Sequence, residues 1–178
     1  MNYHKEQMIK SVVAKLTFLI VIGYFSFKLI LSPDPWIFID YANLGIHEAG
    51  HLIFSPFGVV TSFLGGTIFQ LLVPLLCLIH FIWKKSNYGI SFCLFWIGDN
   101  IINVGRYIVD ARSMQLPLFG GGIHDWNWLL GRWGLLHLDI QIGNFVHQLG
   151  VAVLAISMAY MVILILIEIF EYYVYKSG

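Results

Sequence analysis

The sequence predicts an all-α, polytopic integral membrane protein, and three observations point to it. Only 11% of its 178 residues are charged and 58% are hydrophobic, whereas charged residues make up about a quarter of an ordinary soluble domain. Mean hydropathy is +0.77, and the apolar runs reach the roughly 20 residues that a helix needs to cross a bilayer. Lysines punctuate those runs near their ends, where long stems can snorkel to the interface.

The elements follow in order, in one membrane domain covering residues 1–178. A first span is expected over about Val12 to Leu31, with Lys15 and Lys28 near its ends. Basic residues ahead of an apolar run resemble a signal peptide, but the run is long and no small-residue cleavage site follows, so it reads as a retained span. "SPDPW" breaks the helix at Pro33 and Pro35, and Asp34 looks like the cap of a second one, about Trp36 to Phe54, which ends at "SPFG". A third apolar segment covers about Val59 to Trp83 and stops at Lys84-Lys85. A fourth covers about Tyr88 to Asp110. A Pro- and Gly-rich loop, "ARSMQLPLFGGGIHDW", leads to a short interfacial helix in "WNWLLGRWGLL", whose tryptophans suit the headgroup level. A long helix over about Ile140 to Tyr175 closes the chain. The expectation is four spanning helices, a half-inserted second helix and the interfacial piece.

Lysine placement orients this arrangement. Putting Lys5, Lys10, Lys84-Lys85 and Lys176 on the cytoplasmic side satisfies the positive-inside bias. It requires the second helix to enter only half way from the outer side, so that the N-terminus is cytoplasmic. That helix, the end of the fourth and the glycine loop then meet near the outer face. Formal net charge is zero, so no nucleic acid or acidic substrate is implied, and the lipid bilayer is the first partner. Cys77 and Cys93 lie within the apolar segments and read as small buried residues, not a disulfide framework.

Chemistry concentrates in "LGIHEAGHLIFSPFG", residues 44–58. Residues four apart lie on one helix face, so His47 and His51 present two imidazoles to one point, with Glu48 on the adjacent stripe. Two neutral imidazoles suit Zn2+, which at catalytic sites takes three protein ligands and keeps one position open. Zinc lowers the pKa of water toward about 7, and Glu48 is placed to take its proton. Ionisable groups at membrane depth cost a few kcal/mol and usually mark function. A polar stripe that merely joins helices is the bland alternative. Asp40 and Asn43 extend the stripe upstream, and Gly50 allows close approach of a backbone or substrate.

The third ligand stays open. His124 leads, as an imidazole beside a loop of glycines that can fold over a site; its bland reading is an interfacial histidine. Asp110 and Asp125 are the alternatives, the latter also readable as the cap of the interfacial helix. Asp99, Asn103, Arg106 and Asp110 share one face of the fourth helix and read equally as a buried charge network. His80 reads as an interfacial histidine. Gln141, Asn144, His147 and Gln148 form a polar patch expected to bond neighbouring helices. Gly65-Gly66, with Gln70 and Pro74, suggests close helix packing and a local break that could admit a peptide strand.

The stretch "HEAGHLIFSPFGVVTSFLGGTIFQLLVPLL" resembles the site-2 protease family and related membrane-embedded zinc metalloproteases, over roughly residues 36–130. The resemblance implies that His47 and His51 bind zinc and that Glu48 is the general base. The Leu-Asp-Gly or Asn-Pro-Asp-Gly motif that carries the family's aspartate ligand does not occur here. The expected activity is a zinc metalloendopeptidase acting on membrane or membrane-proximal peptides. The alternative is a non-proteolytic membrane subunit, assembled with other membrane proteins, whose zinc site or polar stripe is structural.

Overall fold

A computed structural model describes residues 2–32, 35–118 and 122–177, and no strand occurs among them. Six α-helices follow in chain order: α1 (Asn2–Leu31), α2 (Ile39–Phe54), α3 (Val59–Trp83), α4 (Asn87–Val109), α5 (Asp125–Arg132) and α6 (Asp139–Ser177). The expected cap Asp34 lies outside the described residues. Among the described residues, three helical stretches are long and apolar enough to cross a membrane: Lys5–Leu31, Val59–Trp83 and Leu136–Val174. α4 has the length of a fourth span, but Asp99, Asn100, Asn103 and Arg106 interrupt its apolar surface.

Relative directions follow from paired residues. Lys15 Nζ meets Glu168 Oε2 at 2.6 Å, and a Cβ on Gly23 would touch Met158, so α1 runs against α6. Ser91 and Ser157 exchange hydrogen bonds, and Gly105 packs on Gly143 and His147, so α6 runs against α4. α3 and α4 form a hairpin in which Phe81 covers Gly89 and Ser86 Oγ accepts from Gly89 N. α2 runs against α3, through His47 with Gln70 and His51 with Ser62. Thus α1, α2 and α4 point one way and α3 and α6 the other.

The break after α1 therefore displaces the chain sideways without reversing it. Leu29, Ile37, Ile39 and Ile102 share one apolar cluster, so α2 begins at the level on α4 where α1 stops. Lys84-Lys85 then falls at the same end of the bundle as the start of α1.

A buried polar layer fastens α2 to α4. Asp40 and Asp99, 1% and 0% exposed, are bridged by two amides. Asn43 Nδ2 donates to Asp40 Oδ1 and Asp99 Oδ2 at 3.2 and 2.9 Å, and Asn103 Nδ2 donates to Asp40 Oδ1 and Asp99 Oδ1 at 2.6 and 3.3 Å. Trp96 Nε1 donates to Asn43 Oδ1 at 2.7 Å. Polar groups away from water need such partners. Asp40 and Asn43 thus serve helix packing, while the rest of their stripe faces elsewhere. Cys77 and Cys93 are free thiols, as the sequence suggests.

α2 and α3 touch at glycines. A Cβ on Gly65 would stand 2.6 Å from Gly50 O and 2.7 Å from Phe54 Cβ, so the backbones could not approach as they do. Gly58, at φ +111°, makes the turn between them in a region that L side chains rarely adopt. Gly65→Ala should therefore lower the unfolding temperature in detergent, by a loss of about 1–3 kcal/mol. Gly45→Ala, on α2 with nothing within 4 Å of the new methyl, should raise it, since alanine favours a helix by up to about 1 kcal/mol. Equal shifts for the two would contradict the close crossing. Membrane-impermeant amine labelling of sealed vesicles should modify Lys84 and Lys5 from the same face; labelling from opposite faces would mean that α2 crosses fully.

Candidate metal centre

His47 and His51, one turn apart on α2, aim their Nε2 atoms at a single oxygen. Asp125 Oδ2 lies 3.1 Å from His47 Nε2 and 3.3 Å from His51 Nε2. The other ring nitrogens are committed: His47 Nδ1 donates to Gln70 Oε1 at 3.0 Å, and His51 Nδ1 donates to the Ser62 carbonyl at 2.8 Å. Carbonyl oxygens only accept, so each neutral ring carries its proton on Nδ1 and a lone pair on Nε2. Two Nε2 atoms and a carboxylate oxygen converge on one point, where a bound cation or a proton on each ring would satisfy them.

Glu48 completes the cluster. Its carboxylate and the two imidazoles offer ligand atoms all within 4.8 Å of one another. It forms no hydrogen bond with the described residues and faces a cavity of about 1230 Å3. Gly66 gives His47 its place, because a Cβ there would come within 2.5 Å of His47 Nε2. The glycine pair that permits the α2–α3 crossing is thus extended by one residue to admit the ring.

α5 delivers the carboxylate. Its apolar side, Leu130 with Trp126, packs on Val104, Ile108 and Ala111 of α4 and the residues after it, and Trp128 stacks on Phe63 of α3 at 4.3 Å. Asn127 Nδ2 donates to Ala111 O at 2.7 Å. Asp125 stands first in the helix, where a negative charge also suits the helix dipole. Tyr107 orients it twice: Asp125 N donates to Tyr107 Oη at 3.2 Å, and the phenol donates to Asp125 Oδ2 at 3.3 Å.

His124, placed first among the third-ligand candidates, stands apart from this convergence. It caps α5: its Nδ1 accepts from Asn127 N at 3.2 Å, the role the sequence suggested for Asp125. A backbone N–H only donates, so the His124 proton sits on Nε2, which faces Asp110 Oδ2 at 3.5 Å. Burial pushes this imidazole below its ordinary value despite the Asp110 carboxylate. Neither nitrogen offers a lone pair toward α2.

Asp110 is occupied too. Its Oδ1 accepts from Ser113 Oγ and Gln115 N, and its Oδ2 from Leu116 N. Asp99 belongs to the buried layer with Asn43 and Asn103. Of the sequence candidates, Asp125 is the one that reaches both imidazoles. Gln70, the Ser62 carbonyl and Tyr107 were not foreseen as site residues. A glutamine within an otherwise apolar α3 was the available signal for the first. A backbone carbonyl and a tyrosine near a helix end leave none.

Zinc titration of single variants should separate the two tandem residues. Asp125→Ala should weaken zinc binding by more than about 100-fold, beyond the 10–100-fold usual for residues that only support ligands. His124→Ala should retain zinc and lose about 1 kcal/mol of stability through its missing cap. The reverse pattern would return the third position to His124.

No protein family matches the chain, and neither curated proteins nor solved structures provide a match.

Proposed function

We propose that this protein is a membrane-embedded zinc metallopeptidase, in which His47, His51 and Asp125 hold the ion and Glu48 is the general base. The observation that carries the reading is the meeting of both Nε2 lone pairs at Asp125 Oδ2, while both Nδ1 protons are given to carbonyl oxygens. Metal-binding histidines are commonly oriented by that kind of outer bond, which sets the tautomer and aims the free nitrogen. Two imidazoles and a carboxylate are a donor set that suits zinc.

When bound, zinc would polarise a scissile carbonyl and bring the pKa of water down toward about 7. The chain's own groups do the rest. Glu48, free of protein hydrogen bonds, accepts a proton from the attacking water as the C–O bond forms. It returns that proton to the amine nitrogen as the C–N bond breaks. The cavity beside it is lined by both apolar and polar groups, as an apolar peptide with a polar main chain requires. The site lies at the end of the bundle opposite Lys84-Lys85, which by the positive-inside bias is the outer face.

Purified Glu48→Gln and His47→Ala proteins, assayed for zinc and for cleavage of a membrane peptide, test this reading. Glu48→Gln should keep its zinc and lose about 10²–10⁴-fold in cleavage rate, since an amide cannot accept the proton. His47→Ala should lose the metal itself. Undiminished cleavage by Glu48→Gln, or wild type without zinc, would remove the peptidase reading. It would leave the non-proteolytic subunit, in which a zinc site closed by four protein ligands, or the polar stripe alone where no zinc is found, is structural.

A further inference from the structure

Asn144, His147 and Gln148 lie at spacings of three and four on α6, so they share one face. All three line the cavity that also holds Glu48 and the two imidazoles. None forms a hydrogen bond with the described residues, although the sequence led us to expect bonds to neighbouring helices. Gly105 packs against the backbone of His147, and Tyr107, two residues along α4, reaches Asp125. The polar face of α6 is therefore level with the histidine–aspartate cluster, across the cavity from α2.

We propose that this face is the wall that binds the main chain of an extended peptide, a reading that rests on the peptidase assignment and specifies how its substrate is held. Each amide side chain both donates and accepts, and an imidazole has one nitrogen of each kind. A main chain offers donors and acceptors in alternation. A phosphate or carboxylate only accepts, so it would leave the acceptor oxygen of each amide unanswered. The spacing fits as well. At about 1.5 Å of rise per residue, Asn144 and Gln148 stand roughly 6 Å apart along the axis. An extended strand advances about 6.6–6.8 Å per two residues, the interval at which amide groups recur on one edge. A strand laid along α6 would meet Asn144 and Gln148 at successive outward-facing peptide groups, with His147 between them. Leu44, Val104 and Leu116, in the same cavity, face the alternate side chains.

The test uses the full-length Glu48→Gln protein loaded with zinc in detergent micelles, so that binding is read without turnover. The probes are a short fluorescent apolar peptide and its depsipeptide analogue, in which successive amides are replaced by esters. The protein should bind the peptide about 10- to 100-fold more tightly than the depsipeptide, the loss expected for two or three hydrogen bonds. Adding Asn144→Leu and Gln148→Leu should weaken peptide binding by a similar factor, erase discrimination against the ester, and leave zinc content unchanged. Equal affinity for both probes before those substitutions overturns the proposal, even if the substituted protein folds poorly. So does unchanged KM when the same two substitutions are placed in a cleaving wild type, a result that would leave the peptidase reading standing. Ester discrimination by a protein that never cleaves would support the wall and sink the peptidase instead.

Discussion

The glycine crossing of α2 and α3 is the constraint on which the site depends. Gly50 and Gly65 bring two backbones closer than any side chain would permit. Only at that separation does the Ser62 carbonyl come within 2.8 Å of His51 Nδ1, and Gln70 within 3.0 Å of His47 Nδ1. Those two bonds set the tautomers, and the tautomers decide that lone pairs, not protons, face the cavity. A Cβ at the crossing would therefore reach the chemistry without touching it. Helix association in lipid relies on such close packing, because apolar tails give no hydrophobic drive between helices.

The same logic sorts the polar residues of an apolar chain. A buried carboxylate is tolerable only where donors surround it. Asp40 and Asp99 obtain theirs from Asn43 and Asn103, and Asp110 from a turn of backbone amides and Ser113. Asp139 is gripped by the Arg112 guanidinium, with Nη2 at 2.7 Å from Oδ1. That last pair joins the end of α4 to the start of α6 and closes the connection that carries α5. Asp125, held by Tyr107, is the carboxylate whose remaining partners are two lone pairs. Glu48 has no donor among the described residues.

Much of this was legible in the sequence, for reasons that particular residues make plain. An apolar run after "SPFG" that stops at Lys84-Lys85 marked α3, expected over about Val59 to Trp83 and found at Val59–Trp83, because hydropathy and length are local properties. His47, Glu48 and His51 were readable because helix periodicity alone sets their geometry. The third carboxylate was not. His124 and Asp125 are neighbours at the start of α5, and one of them must cap it. Which one caps and which one turns to α2 depends on Tyr107 and on the docking of Trp128 against Phe63, contacts between elements distant in sequence. Asn144, His147 and Gln148 were visible as a patch, but only the assembled bundle shows that none of the described residues answers them with a hydrogen bond.

The location of Asp125 bears on the proposed peptidase reading. Its two imidazoles sit on one helix and its carboxylate on another, joined by a connection that the Arg112–Asp139 and Asp110–His124 pairs hold at separate points. A purely structural ion is expected to take a fourth ligand from the chain. Here His124, the residue next to Asp125, is turned away into a cap, and Asp110 is satisfied by its own turn. Glu48 lies close enough to share the centre, yet it is set one position round the helix from the two imidazoles, facing open cavity. In the proposed reading, three converging donors, an unengaged carboxylate beside them and a cavity that reaches across to amides with no partner among the described residues leave room at the centre for something other than the protein.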